Sequence, residues 1–242
     1  MPIIYSATTD GGVRSYGPTI TSWDSVHDND GTAYSFAVAT AGETNKYGPG
    51  VVVDGSGQYT IYRTFFAFDV SGISSAPGSA IFKFKSYVYA NGDIIAVKAT
   101  KPDTSTNLAN ADISALTGYT SGFNNSNLTA YSAKITGAGA VSAYHSIVLN
   151  ATALSDMAAA STLSLCLMNY DHDYLDSAPT STSTTAQRFG VYFADSSGTS
   201  NDPYIEYVLG YGNDVIGVSS ANISTIIGVA TANIDKVIGV SD

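Results

Sequence analysis

Ile61-Tyr-Arg-Thr-Phe-Phe-Ala-Phe-Asp-Val-Ser-Gly-Ile73, followed by Ala80-Ile-Phe-Lys-Phe-Lys-Ser-Tyr-Val-Tyr89, carries the strongest strand signal in the chain. Successive side chains of an extended backbone point to opposite faces, so Phe66 and Phe68 share one face and Phe65 takes the other. Aromatic and β-branched runs of this kind, bounded by Ser-Gly and by Ala76-Pro-Gly78, read as strands Tyr59–Asp69 and Ala80–Tyr89. Arg63 and Asp69 are placed near the strand ends. Arg63 is expected to pair with a carboxylate or with carbonyls, and Asp69 to accept backbone N–H bonds of the Val-Ser-Gly turn.

The same pattern extends outward in both directions. Further strands are expected at Ala33–Ala39, Val51–Val53, Asp93–Lys98, Tyr144–Leu149, Thr162–Asn169, Arg188–Ala194 and Tyr204–Leu209. Turn signals at Asp30-Gly31, Tyr47-Gly-Pro-Gly50, Asp54-Gly-Ser-Gly57 and Ser197-Gly198 separate them. Asn91-Gly92 predicts a two-residue hairpin between the strands on either side of it. Helix is scarce: Asn150–Ala160 holds a turn or two with Asn150 or Thr152 as N-cap, and Asn107–Leu116 another. Thr100–Asn127 and Asp171–Ala186 read as long surface loops that meet neighbouring molecules. Many short strands joined by Gly and Pro turns make an all-β, antiparallel β-sandwich of jelly-roll-like form. Alternation assigns Phe66, Phe68, Phe82, Phe84, Ile147, Leu149, Leu165, Leu167, Tyr192 and Ile205 to one core or its flanks.

Composition narrows the function. The chain has 242 residues, 44% hydrophobic, enough to bury a large core. Only 12% are charged, about half the usual share. With 10 Lys plus Arg against 20 Asp plus Glu, the net charge is −10 and no basic patch forms, which speaks against nucleic acid. No apolar run is long enough to span a membrane. Met1-Pro-Ile-Ile-Tyr-Ser6 lacks the basic start and apolar stretch of a signal segment, so the expectation is assembly in a cell without secretion. The single cysteine, Cys166, lies in Leu163-Ser-Leu-Cys-Leu-Met168 and reads as a buried inert thiol.

The core motif resembles the "R-x-F-L-x-F-D-L-S … A-x-L-x-L-Y" pattern of the DNRLRE-type β-sandwich domains of bacterial surface proteins, carbohydrate-binding modules and phage structural proteins. His145-Ser-Ile-Val-Leu-Asn-Ala-Thr-Ala-Leu154 is similar to that family's late strand and short helix, and Asp202-Pro-Tyr-Ile-Glu-Tyr-Val208 to its closing strand. The likeness covers about residues 20–209 and is most specific over Arg63–Tyr89. The namesake acidic-and-arginine pattern is absent, Gln187-Arg188-Phe189 standing in its place, so what the resemblance implies is a jelly-roll-like fold.

Chemistry-bearing residues are few. Asp28, Asp30 and Gly31 match part of a calcium loop, without the first carboxylate or the closing Glu. Asp171-His172-Asp173 is the densest cluster, a candidate divalent-ion site alone or shared across a subunit interface, weighed against a solvated acidic loop. The structural alternative at the first is a turn held by side-chain-to-backbone bonds. There is no Gly-x-Ser-x-Gly elbow, Walker loop, dinucleotide fingerprint or His-Glu-x-x-His helix. The expectation is a non-catalytic protein with no cofactor, calcium being the one ion such loops would take.

The last part of the chain repeats itself. Val215-Ile216-Gly217-Val218, Ile226-Ile227-Gly228-Val229 and Val237-Ile238-Gly239-Val240 recur every 11 residues, as do Ala221-Asn222-Ile223 and Ala232-Asn233-Ile234. The segment 211–242 holds eleven Val or Ile residues and four charges, Asp214, Asp235, Lys236 and Asp242. Short strands at Ile-Gly-Val with turns between them are preferred over continuous helix, which a glycine in every repeat opposes. Three such units cannot bury their apolar faces alone. The division is therefore a body, 1–210, and a docking tail, 211–242. Its expected assembly contacts are Val215, Ile216, Val218, Ile223, Ile226, Ile227, Val229, Ile234, Val237, Ile238 and Val240. This tail looks like C-terminal repeats in proteins of tailed phages.

Together these features lead to the expectation of a virion structural protein, a capsid decoration or head-fibre protein, assembled in the host cytoplasm. Its partners would be its own copies, as in a trimer, and virion proteins such as the major capsid protein, with no nucleic acid and no membrane. The alternatives are a tail-fibre component or a carbohydrate-binding, lectin-like adhesin module. The lectin reading predicts exposed aromatics in a groove or along one sheet face, with Tyr16, Tyr119, Tyr131 and Tyr174 as loop candidates.

Overall fold

The computed structural model of the chain describes residues 1–16, 22–29, 35–37, 48–88, 92–136, 143–180, 187–188, 190–194, 198–210, 225–226 and 229–230. Among these, the strands are β1 (Ile3–Tyr5), β2 (Gly11–Tyr16), β3 (Ser35–Ala37), β4 (Gly50–Val53), β5 (Tyr59–Asp69), β6 (Pro77–Val88), β7 (Ile94–Lys98), β8 (Tyr144–Val148), β9 (Thr162–Asn169), β10 (Gln187–Arg188), β11 (Gly190–Val191), β12 (Tyr204–Leu209), β13 (Thr225–Ile226) and β14 (Val229–Ala230). Two α-helices, α1 (Trp23–His27) and α2 (Ala151–Ala159), a 3₁₀ turn at Asn110–Ser114 and a π-helical turn at Tyr170–Tyr174 complete the set.

Twelve of these strands form two antiparallel sheets packed face to face, an all-β sandwich, while β13 and β14 pair only with each other. The five-stranded sheet is built on β6, which pairs with β12 over Pro77–Lys83 and with β8 over Ile81–Lys85. These lengths overlap, so β12 and β8 take opposite edges. β11 pairs with Ser86 and Val88, and β1 adds outside β12. The seven-stranded sheet is built on β5. β2 pairs with its Thr60–Phe65 edge, whereas β4 and β9 take successive lengths of the other edge, Tyr59–Tyr62 and Thr64–Asp69. β3, β10 and β7 extend this sheet beyond β2, β4 and β9.

The core lies between the sheets. Phe66, Phe68, Phe82, Phe84, Ile147, Leu163, Leu165, Leu167 and Ile205 are buried there, joined by Leu149 and by Ala153 and Met157 of α2. Asn150 caps α2, its side chain accepting from the backbone N–H of Ala153, which satisfies one of the free amides at the helix start. Phe66 and Phe82 rings meet at 5.1 Å and Phe68 and Phe82 at 5.6 Å. Val191 and Phe193 are buried in this core and the half-buried Tyr192 lies between them in the chain.

Three readings are corrected. The strands on either side of Asn91-Gly92 are not a hairpin, because β6 belongs to one sheet and β7 to the other. That connection crosses the sandwich. Thr100–Asn127 is not a surface loop awaiting a neighbour. It folds back as a third layer over the outer face of the seven-stranded sheet. There Leu108, Ile113, Leu116 and Phe123, with Leu128 just after the segment, bury themselves against Val13, Phe65, Val97, Cys166 and Met168. This explains why β5 and β9 are apolar on both faces. Arg63 is not near a strand end but is the fifth residue of β5 and fully buried under this layer. Asp69 does end β5, and it accepts from the Ser71 backbone N–H and hydroxyl as its turn position requires.

Candidate functional site

Two of the aspartates singled out from sequence, Asp28 and Asp173, come together with His27, Asp176 and Arg63 in a buried polar network. Ser22 caps α1, and this short helix presents Trp23 and His27 inward. Asn169 caps the π-helical turn by accepting from the His172 backbone N–H, and the turn delivers Asp173 to the interior. Arg63 grips the Asp173 carboxylate with two nitrogens, Nη2 to Oδ1 at 2.7 Å and Nε to Oδ2 at 3.0 Å. Its remaining donors reach the carbonyls of Ile113 (2.7 Å) and His27 (3.2 Å). Burial alone would lower the Arg63 pKa, but the adjacent Asp173 charge and hydrogen bonds outweigh it and raise it.

His27 is enclosed in the same network. Its Nδ1 lies 2.8 Å from Asp28 Oδ1 and 3.4 Å from Asp176 Oδ1, and its Nε2 lies 2.8 Å from the Asp173 carbonyl oxygen. The ring stacks on Phe123 at 4.2 Å and on Trp23 at 5.2 Å. Trp23 Nε1 donates to Asp176 Oδ1 at 2.8 Å, and the Gly122 backbone N–H donates to Asp28 Oδ2. The arrangement ties α1, β5, the covering layer and the π-helical turn together through satisfied hydrogen bonds, which is what buried charges require.

The expected metal residues are therefore dispersed among different partners. Asp173 belongs to Arg63, and Asp28 to His27 and Gly122. Asp171 pairs with Lys134 at 2.9 Å, and His172 Nδ1 lies 2.7 Å from the Ser177 carbonyl. Among the described residues no group of three or more His, Cys, Asp or Glu is placed to hold a metal ion. Asp30 lies outside the described residues. Cys166 is buried, and burial pushes its thiol well above the ordinary range, so it stays protonated.

The four candidate tyrosines do not form a platform. Tyr131 is buried and donates to Asp156 Oδ2 at 2.7 Å, while Tyr174 is buried under the third layer. Tyr119 is half-buried against Phe123, and Tyr16 sits half-buried under the Arg14 guanidinium.

A different aromatic surface stands on the outer face of the five-stranded sheet. The register places Tyr5, Tyr204, Lys83 and Ser146 in one row across four strands, and Ile3, Glu206, Ile81 and Val148 in the next. Tyr5 is 43% exposed, Tyr144 36% and Val148 68%. Tyr5 and Tyr204 rings lie 5.9 Å apart and Tyr204 and Tyr144 rings 5.3 Å, both pairs steeply tilted. Lys83 pairs with Glu206 at 2.8 Å and lies over Tyr204. Lys85 donates to Asn201 Oδ1 at 2.7 Å and lies between Tyr144 and Tyr192. The Tyr144 hydroxyl donates to the carbonyls of Ser200 and Asp202, and burial, with Tyr204, Asp202 and Tyr5 nearby, pushes its pKa up to about 12. The sequence held a signal for this surface: in β8 and β12 the positions facing away from the core include Tyr, Val and Tyr rather than only small polar residues. β1, which carries Tyr5, was not expected as a strand.

Of the expected assembly residues, Ile226 and Val229 fall within described backbone, in β13 and β14. These strands pair antiparallel with Ile226 opposite Val229. The second Ile-Gly-Val unit thus spans a strand pair instead of one strand. Val215, Ile216, Val218, Ile223, Ile227, Ile234, Val237, Ile238 and Val240 lie outside the described residues. No protein-family model matches the chain, and no curated protein matches it.

Proposed function

We propose that the chain is a non-catalytic structural protein that enters a larger assembly through residues 211–242. We further propose that the assembly is the virion of a tailed phage, with the chain as a capsid decoration or head-fibre protein. The observation that carries the reading is the 11-residue repeat, with eleven Val and Ile side chains in a segment of four charges. Burying each such side chain is worth about 1.5–3 kcal/mol before ordering costs. Even a fraction of that total exceeds the roughly 8 kcal/mol of a micromolar contact. The engagement of Arg63, His27, Asp28, Asp171 and Asp173 in the fold's own bonds also favours a structural role. The partners of this reading are other copies of the chain and virion proteins such as the major capsid protein. The phage assignment rests on the two resemblances, of the core motif and of the tail.

The test is particle occupancy. Particles made with the full-length chain carrying Ile216→Asp, Ile227→Asp and Ile238→Asp together should lack the protein, while particles made with the unaltered chain retain it. Normal occupancy by the variant would refute docking through the tail.

A further inference from the structure

We propose that the outer face of the five-stranded sheet binds a neutral polysaccharide, seated across Tyr5, Tyr204 and Tyr144. The inference does not depend on the tail or on a virion role. The two sheets differ on their outer sides: the seven-stranded sheet is covered by the Thr100–Asn127 layer, whereas the five-stranded sheet leaves Ile3, Tyr5, Tyr144 and Val148 exposed. A sugar ring offers apolar C–H faces and a rim of hydroxyls, and its binding surface needs both ring area and hydrogen-bonding groups. Tyrosine supplies an apolar body with a polar tip. The three rings run contiguously from β1 over β12 and, across β6, to β8, at 5.9 and 5.3 Å between neighbours. Beside them stand an amine–carboxylate pair, Lys83 and Glu206, and an amine–amide pair, Lys85 and Asn201, as donors and acceptors for hydroxyls. The tilt between rings makes the surface corrugated, and its placement on an open sheet face suits a chain lying across strands.

Charge selects the ligand class. The protein carries a net charge of −10, and Lys83 is already neutralised by Glu206. A polyanionic glycan or a nucleic acid would be repelled at long range and would meet at the face one amine already paired with a carboxylate, Lys83, and one held by a neutral amide, Lys85. A second protein surface is disfavoured for another reason. The middle of this face, on β12 and β6, is occupied by Glu206, Lys83 and Lys85, and the buried centres of protein interfaces are depleted of charged residues.

The experiment uses the full-length chain in affinity gel electrophoresis against soluble dextran, mannan, xylan and mixed-linkage β-glucan, with heparin as the polyanionic comparison. At least one neutral polysaccharide should retard the protein and heparin should not. Combined Tyr5→Ala and Tyr204→Ala should weaken that binding about tenfold, from the loss of two ring contacts. Tyr16→Ala, on the other sheet, should leave it unchanged. Tyr5→Ala alone, on a short edge strand, gives the same test at smaller amplitude should the double variant lose its fold. Absence of retardation by every neutral polysaccharide, or equal retardation of the tyrosine variants, would overturn the proposal. So would preference for heparin. A concentration-dependent sedimentation shift abolished by Tyr5→Ala would overturn it as well, by assigning the face to a second copy of the chain.

Discussion

Arg63 and Asp173 stand 110 residues apart in the chain and 2.7 Å apart in the fold, both with side chains fully removed from solvent. One is held by the central strand of the larger sheet, the other by the π-helical turn after β9. Their pairing anchors the third layer, because the same guanidinium holds the Ile113 carbonyl and lies 4.9 Å from the Phe123 ring.

Removing one partner should leave the other charge buried and unpaired. Asp173→Leu and Arg63→Met are each expected to destabilise the protein by about 3–5 kcal/mol. The double variant Arg63→Met with Asp173→Leu should lose clearly less than the sum of the two single losses. Urea unfolding of the four proteins checks this. Additive losses would mean that the two groups are energetically independent.

The turn at Gly118 brings two stretches of backbone into close approach. Gly118 has φ +92°, and a Cβ there would run into the Asn127 carbonyl oxygen, whereas Gly57, at φ +79°, has open space around it. Gly57→Ala should therefore cost only the dihedral strain, about 1–2 kcal/mol. Gly118→Ala should cost more, because backbone must move as well. Thermal midpoints in one buffer give the comparison, and equal losses would contradict the packing of the third layer on itself.

Much of this was written in local pattern and some was not. β5, β9 and β12 were readable to the residue, because Phe66, Phe68, Leu163, Leu165 and Ile205 alternate with residues of the opposite face. β1 has three residues and β2 begins with Gly11-Gly12, so neither shows a local signal, and their order comes from pairing with β12 and β5. The segment Thr100–Asn127 looked like a loop because Leu108, Ile113, Leu116 and Phe123 follow no period. What buries them is the second apolar face of β5 and β9. The sequence indicated that Arg63 would need a carboxylate or carbonyls. It could not name Asp173, since no spacing rule connects residues joined only by the fold.

His145 links stability to pH. Burial lowers its pKa, and its ring stacks on Phe84 at 5.1 Å. A histidine with a depressed folded-state pKa is favoured as the neutral form. Its stabilising contribution is full above the unfolded value of about 6.5 and is lost as pH falls through the lower folded value. The thermal midpoint of the unaltered protein should thus fall more steeply between about pH 7.5 and pH 5 than that of His145→Gln. Parallel curves would remove His145 from the acid response.

Sedimentation of the full-length chain against its Ile216→Asp, Ile227→Asp, Ile238→Asp variant tests the assembly role most directly. The unaltered chain should sediment as a homo-oligomer. The variant should sediment as a folded monomer of about the 25.1 kDa chain mass, with its thermal midpoint kept. A variant that sediments with the same oligomeric mass as the unaltered chain would contradict assembly through residues 211–242.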